Sequence, residues 1–194
     1  RRATKGGFAV GRGLNRNRQA GDAAIAAQTI SLRLRRWGTM ARDAMIWEER
    51  MSVEEDRREI NELALRYARA CDTHDAEEFA AIFTEDGEIL SPPHAMIGRD
   101  QIVKVVPATL KRMYLRTMHL VHNNQIWIDG DAARGETYCV AHHLTKESDT
   151  KASNYIMYII YENEYRKESG QWRFSRRKLN LRWSGSDTVD ISAG

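Results

Sequence analysis

Two polar residues, far apart in the sequence, have the side-chain types needed for proton transfer. Asp72 lies within the run Tyr67-Ala-Arg-Ala-Cys-Asp72-Thr-His-Asp75, and His119 closes the run Arg116-Thr-Met-His119. A carboxylate beside an imidazole fixes the tautomer of the ring and stabilises its protonated form. We therefore expect Asp72 and His119 to meet at a pocket, where the imidazole would act as a base.

The helices that position these residues are predicted from the spacing of apolar side chains. Apolar residues recur every three or four positions from Ile60 to Cys71, which predicts a helix that directs Tyr67 inward. Two further helices are predicted over residues 79–83 and 102–110. Pro107 should kink or end the last of them.

The strands follow in the second half of the chain. A turn at Glu85-Asp86-Gly87 should precede a first strand that begins at Glu88. Alternating apolar residues and turn signals then predict a meander over residues 117–129, 133–144, 154–166 and 171–183. Helices followed by long antiparallel strands predict an α+β fold, with the helices on one face of a curved sheet.

Composition limits the function classes. The net charge of +3 comes from residues 1–50, which hold eleven basic and four acidic residues, so the rest of the chain is mildly acidic. We therefore expect no nucleic-acid-binding surface on the globular part. The longest apolar run, residues 155–161, is too short to cross a membrane, which requires about 18 residues. Cys71 and Cys139 lack metal-ligand spacing, so we expect two buried thiols, a reducing compartment and a cytoplasmic location.

The charge distribution also predicts the domain organisation. We predict a basic extension over residues 1–50, a globular domain over 51–186 and a tail over 187–194. Three interpretations of the extension stay open: an upstream start-site or expression extension, a targeting peptide, or a nucleic-acid-binding arm. A helix over residues 30–47 would dock on the domain or on a neighbouring subunit.

Several motifs spread over residues 52–184 occur in the order found in one protein family. They are Ile60-x2-Leu63-x3-Tyr67-x4-Asp72, Phe79-x3-Phe83-Thr-Glu-Asp-Gly87, Arg116-Thr-Met-His119, Asp129-Gly-Asp-Ala132 and Tyr161-x3-Tyr165-x6-Trp172-x-Phe174. In these motifs the chain resembles the SnoaL-like branch of the nuclear transport factor 2-like superfamily, which includes scytalone dehydratase, hexachlorocyclohexane dehydrochlorinase and bile-acid 7-alpha-dehydratase. The resemblance implies a cone-shaped fold, in which N-terminal helices pack on a strongly curved mixed or antiparallel sheet that encloses an apolar pocket.

The resemblance also implies roles for individual residues. Asp72 and His119 match the catalytic aspartate and histidine of these enzymes, and Tyr67 matches a catalytic tyrosine five residues before the aspartate. His142 and His143 stand where a second, substrate-binding histidine occurs, and the alignment favours His143. Only one of the two can face the pocket, because neighbouring strand residues point to opposite sides of a sheet.

Two further residues are expected to bind substrate. Alternation along the strand places Asn123 on the same face as His119 and places His122 on the other face. Arg182 resembles a functional arginine near the carboxyl end of the bile-acid enzyme. Structural roles remain the alternative for all of these residues: a helix end for Asp72, a core aromatic for Tyr67 and a solvated strand residue for Arg182.

These expectations lead to a functional hypothesis. His119 would remove an acidified C–H proton while Asp72 holds the imidazole, in a dehydratase or isomerase for a small cyclic hydrophobic substrate, such as a polyketide, steroid or aromatic compound. No metal site and no cofactor are expected, since at most two histidines can converge and no Gly-rich phosphate loop occurs. We expect a homodimer or homotrimer that contacts no membrane. The alternative is a non-catalytic binding or assembly subunit, like the small subunit of a ring-hydroxylating dioxygenase.

Overall fold

The computed structural model of this chain describes residues 13–192, so parts of the predicted extension and tail lie outside the described residues. Tertiary contacts divide the chain into two units, Arg1–Met51 and Ser52–Gly194. The described elements are α1 (Gly13–Thr73), α2 (Ala76–Ile82), β1 (Phe83–Ser91), β2 (His94–Ile97), α3 (Arg99–Met113), β3 (Arg116–Asp129), β4 (Ala132–Lys146), β5 (Lys151–Glu168) and β6 (Gln171–Asp190). No helix in residues 13–192 combines the length and the apolar character needed to cross a membrane.

The strands form one six-stranded mixed sheet with the order β2-β1-β6-β5-β4-β3. The pairs β3–β4, β4–β5, β5–β6 and β1–β2 are antiparallel, and β1 runs parallel to β6. The helices precede the long strands in the chain. The α+β architecture predicted from the sequence is confirmed.

The core lies between the carboxyl-terminal part of α1, the helix α2 and the inner face of the sheet. Helix α1 contributes Ile60, Leu63, Tyr67 and Cys71, which are spaced by three and four residues as the sequence pattern predicted. The facing side chains include Phe174, which is fully buried. Burying a large apolar side chain contributes roughly 1.5–3 kcal/mol, so this stripe fixes the carboxyl-terminal part of α1, including its last turn, against the sheet.

The structure differs from the sequence-based expectations at three places. Pro107 does not end α3, which continues to Met113. The ring of Pro107 is buried, and this apolar contact offsets the one backbone hydrogen bond that proline cannot donate. The residues 85–87 do not precede the first strand but form an irregularity within β1, where the register with β6 shifts between Phe83 and Glu88. The short strand β2, which pairs with β1, was missed.

Candidate functional site

Asp72 and His119 are brought together by α1 and β3. Asp72 lies in the last turn of α1, and His119 lies near the start of β3. The distance from His119 Nδ1 to Asp72 Oδ1 is 2.7 Å, and the backbone N–H of His119 donates to Asp72 Oδ2 at 2.9 Å. An ionised carboxylate can only accept, so Nδ1 of a neutral His119 ring carries the proton. Nε2 is then the nitrogen with a free lone pair.

Asp72 is held in its ionised form. The hydroxyl of Thr117 donates to Asp72 Oδ1 at 2.8 Å, in addition to the two bonds from His119. Burial acts to raise the pKa of Asp72, but the hydrogen bonds from His119 and Thr117 outweigh it, and the pKa is lowered. Thr117 was not predicted as a site residue, although it precedes His119 by two positions and so lies on the same face of β3.

A cavity of about 620 Å³ lies next to this pair, within the unit Ser52–Gly194. Its polar wall includes Tyr67, His143 and Arg177, and its remaining wall is mainly apolar side chains of α3, β1, β2, β5 and β6. In the described part of the chain, neither Asp72 nor His119 lines this cavity directly. The His119 ring meets the His143 ring edge-on, with 5.6 Å between centroids, so the acid–base pair borders the cavity at His143.

The two neighbouring histidines of β4 point to opposite faces of the sheet. His143 is buried in the cavity wall, where its ring also contacts Tyr114 with 4.6 Å between centroids. Burial, and then the charge that His119 can carry, lower the pKa of His143 to about 4, so this ring is neutral at physiological pH. Its buried Nδ1 has no hydrogen-bond partner among the described residues. His142 instead contacts Asn154, with 3.2 Å between Nδ1 and Oδ1, on the outer face.

Tyr67 lies at the inner end of the cavity, on the inward stripe of α1. Its ring makes edge contacts with Phe79 at 5.6 Å and with Tyr161 at 5.9 Å between centroids. Burial raises the pKa of the Tyr67 phenol well above its usual value. Tyr67 therefore keeps its proton and can act as a hydrogen-bond donor.

The structure does not bring Asn123 or Arg182 to this cavity. Both line a separate depression of about 420 Å³ on the outer face of the sheet, together with His122 and Trp183. In β3 the register shifts between Val121 and Asn124, so His122 and Asn123 oppose a single residue of β4 and both point outward. The prediction that Asn123 shares a face with His119 is wrong because this bulge interrupts the alternation.

The family model of the SnoaL-like domain matches residues 53–178, which is more than half of the chain. The chain belongs to the SnoaL-like family. Among curated proteins, none matches this chain. The predicted family is confirmed, and the site described above lies inside the SnoaL-like domain.

Solved structures share the fold of the SnoaL-like domain. A candidate scytalone dehydratase from Novosphingobium aromaticivorans is 28% identical with a TM-score of 0.60, and the match covers 69% of this chain and 89% of that one. Rv3472 from Mycobacterium tuberculosis, a protein of unknown function, is 27% identical with a TM-score of 0.59 over 67% of this chain and 73% of its own. Hexachlorocyclohexane dehydrochlorinase LinA-type3 from Novosphingobium barchaimii is 16% identical and shares the fold, with a TM-score of 0.61 over 69% of this chain and 90% of its own.

Arg177, like Thr117, is a residue near the site that was not predicted from the sequence. It lines the cavity, and its side chain is among the most completely buried in the described residues. The run Arg176-Arg177-Lys178 gives no signal for burial, because arginine and lysine are almost always exposed. Arg177 lines the cavity, whereas Arg182 lines the depression on the outer face of the sheet.

The histidine, cysteine and acidic side chains of the described residues do not converge on one point. Within residues 13–192, no group of three or more His, Cys, Asp or Glu side chains could hold a metal ion. Cys71 and Cys139 are both buried as free thiols on the inner side. The acid–base chemistry available here is that of the Asp72–His119 pair, with Tyr67 as a donor.

Proposed function

We propose that this chain is a cofactor-independent proton-transfer enzyme, a dehydratase or isomerase that acts on a small cyclic hydrophobic substrate. The observation that carries the proposal is the 2.7 Å contact between His119 Nδ1 and Asp72 Oδ1, beside a cavity with mainly apolar walls. This contact prepares His119 Nε2 to accept a proton, since Nδ1 already donates to the carboxylate.

In the proposed reaction, His119 removes a proton from a carbon made acidic by a neighbouring carbonyl. The ring becomes an imidazolium, whose charge Asp72 stabilises through the same hydrogen bond. The electron pair left on carbon either expels a β-hydroxyl, which gives dehydration, or is reprotonated at another carbon, which gives isomerisation. Tyr67 donates a hydrogen bond to the carbonyl oxygen as negative charge develops there.

The size and position of the cavity support a ring-bearing substrate. Its volume of about 620 Å³ lies within the range of roughly 300–1,000 Å³ that small-molecule sites occupy. The reacting C–H group would approach at the His143 end, since the His119 ring borders His143 there. His143, which is neutral, would act as a wall and a hydrogen-bonding group rather than as a second base.

The comparisons support the same reaction class. The 28% identical structure from Novosphingobium aromaticivorans is named as a candidate scytalone dehydratase, and dehydration is one of the two reactions proposed for this chain. The names of such relatives support a reaction class. They do not specify the substrate of this chain.

The proposal is tested by proton NMR in deuterium oxide with a panel of cyclic hydroxyketones and enones. Wild-type protein should exchange an α or γ proton of at least one compound, and His119→Ala should lose the exchange by roughly 10²–10⁴-fold. His142→Ala is the matched control, because it removes a histidine on the outer face and should exchange at the wild-type rate. If compounds bind but no proton exchanges in either protein, the proton-transfer proposal is wrong and the alternative, a non-catalytic binding subunit, takes its place.

A further inference from the structure

Arg177 is a buried cation in an aromatic enclosure. Its side chain is 1% exposed, and its guanidinium carbon lies 3.7 Å from the ring centroid of Tyr161, 4.1 Å from that of Tyr67 and 4.9 Å from that of Phe174. The faces of these rings attract a cation through their quadrupoles. They carry no net negative charge, so the positive charge of Arg177 stays uncompensated by them.

Acidic residues do not supply the missing charge. Among residues 13–192, Arg177 takes part in no ion pair, whereas the neighbouring Arg176 pairs with Glu88 and Glu164. The buried Nε–H of Arg177 has no hydrogen-bond acceptor in the same part of the chain. Buried charges in proteins are otherwise paired and hydrogen-bonded, because an unpaired one loses its hydration without compensation.

A chain of polar side chains holds the guanidinium in place. Arg177 Nη1 donates to Asn163 Oδ1 at 2.9 Å, and Asn163 Nδ2 donates to Thr137 Oγ1 at 2.8 Å. Thr137 in turn donates to Asn124 Oδ1 at 2.9 Å, and Asn124 Nδ2 donates to Asn61 Oδ1 at 3.0 Å. The chain runs from the cavity wall to helix α1 and satisfies Nη1 with neutral groups. It therefore orients the cation without neutralising it.

This cation lies in the wall of the 620 Å³ cavity. Tyr67 and Tyr161 line the cavity beside Arg177, and both phenols are neutral because burial raises their pKa values. An anion that enters this cavity meets apolar walls and the buried positive charge of Arg177, whose Nε–H has no acceptor among the described residues. The exposed Arg112 adds a second positive charge to the lining. A carboxylate matches the guanidinium edge better than a single anionic oxygen, since it accepts two parallel hydrogen bonds from an arginine.

We propose that Arg177 is a carboxylate-binding residue, and that the ligand of this cavity is a cyclic or aromatic carboxylic acid. The carboxylate would bind at the Nε–H edge of Arg177, and the ring would lie along the apolar wall toward His143. This inference rests on the proposed function in one respect, because it places the substrate in the same cavity and narrows its class to an acid. It needs no proton transfer by His119.

The test compares an acid with its neutral amide in calorimetric titrations at pH 7.5. Wild-type protein should bind 1-naphthoate at least 10-fold more tightly than 1-naphthamide, which has the same shape without the charge. Arg177→Met should lose this preference, while Arg182→Met, the control on the outer face of the sheet, should keep it. The Nε–H resonance of Arg177 should shift when naphthoate is added.

Each outcome of the test decides the proposal. Equal affinities of acid and amide for the wild-type protein, or no binding of either compound, would overturn it even if Arg177→Met does not fold. If Arg182→Met also abolishes the preference for the acid, the anion binds on the outer face of the sheet and the proposal is overturned. The titration measures no proton transfer, so a wild-type protein that prefers the acid but exchanges no proton with any compound would contradict the proposed function alone.

Discussion

The three hydrogen bonds at Asp72 predict a change of tautomer in the variant Asp72→Asn. The backbone N–H of His119 can only donate, so the carboxamide oxygen of the variant must take the position of Oδ2 and accept from it. The carboxamide NH₂ then takes the position of Oδ1, opposite His119 Nδ1 and the hydroxyl of Thr117. Nδ1 must accept from this group, so the proton of the neutral ring moves to Nε2.

The variant should therefore lose its base while keeping its fold. Nε2 carries the proton after the change and cannot accept another from a substrate, so proton exchange should fall by roughly 10²–10⁴-fold. The cost to stability is smaller. A hydrogen bond to a charged group contributes about 1.5–3 kcal/mol and a neutral one about 0.5–1.5 kcal/mol, which gives a loss of about 1–2 kcal/mol for a side chain that is 25% exposed.

The tautomer can be measured without knowledge of the substrate. Long-range ¹H–¹⁵N correlation spectra at pH 9, where histidine rings are generally neutral, distinguish a protonated Nδ1 from a protonated Nε2. Wild-type His119 should show the proton on Nδ1, and Asp72→Asn should show it on Nε2. Thr117→Val is the matched control, because it removes one bond to Asp72 and leaves the carboxylate in place. A proton that stays on Nδ1 in Asp72→Asn would refute the reasoning.

Two further predictions concern the rest of the domain. Burial raises the pKa of Cys71 to about 12 and that of Cys139 to about 11, so neither thiol should react with a thiol reagent at pH 8 in the folded protein. Both thiols should react once urea unfolds the protein, and labelling of either in the folded state would contradict their burial. Burial acts to raise the pKa of Asp56, but bonds from Lys167 Nζ at 2.6 Å and Trp172 Nε1 at 2.8 Å lower it overall. A lowered carboxyl pKa stabilises the folded state above the unfolded value of about 3.9 and ceases to do so as the pH falls through the folded pKa. Asp56→Asn should thus be about 1–2 kcal/mol less stable at pH 7 in urea unfolding, with a difference that shrinks below pH 4; a difference that does not depend on pH would contradict this account.

The sequence predicted those parts of the fold in which a regular period meets a buried surface. The spacing of Ile60, Leu63 and Tyr67 predicted the buried face of α1, because only one face of a helix can pack on the sheet. Alternation along β4 correctly predicted that only one of His142 and His143 faces the cavity. Neither pattern depends on distant residues, so both can be recognised in the sequence.

The irregular parts of the sheet could not be predicted in this way. Strand β1 continues through residues that are typical of a turn, because its pairing with β6 is supplied by a strand more than 80 residues later in the chain. At Asn123 the bulge in β3 places two consecutive residues on the outer face. A bulge depends on the register with the partner strand, and the sequence of one strand does not contain that register.

The same physics explains why Arg177, rather than one of its neighbours, faces the cavity. From the buried Phe174, strict alternation would turn Arg176 inward and Arg177 outward. In the pairing of β5 with β6, however, Tyr165 is opposite Phe174 and Glu164 is opposite Arg176, so Ser175 is the extra residue of a bulge. The bulge reverses the alternation and turns Arg177 inward. A strand without this bulge would bury Arg176 instead, so the sheet encloses one arginine in either register. The bulge decides which one: it turns inward the arginine that Asn163 holds beside Tyr161, and it leaves Arg176 outside to pair with two glutamates.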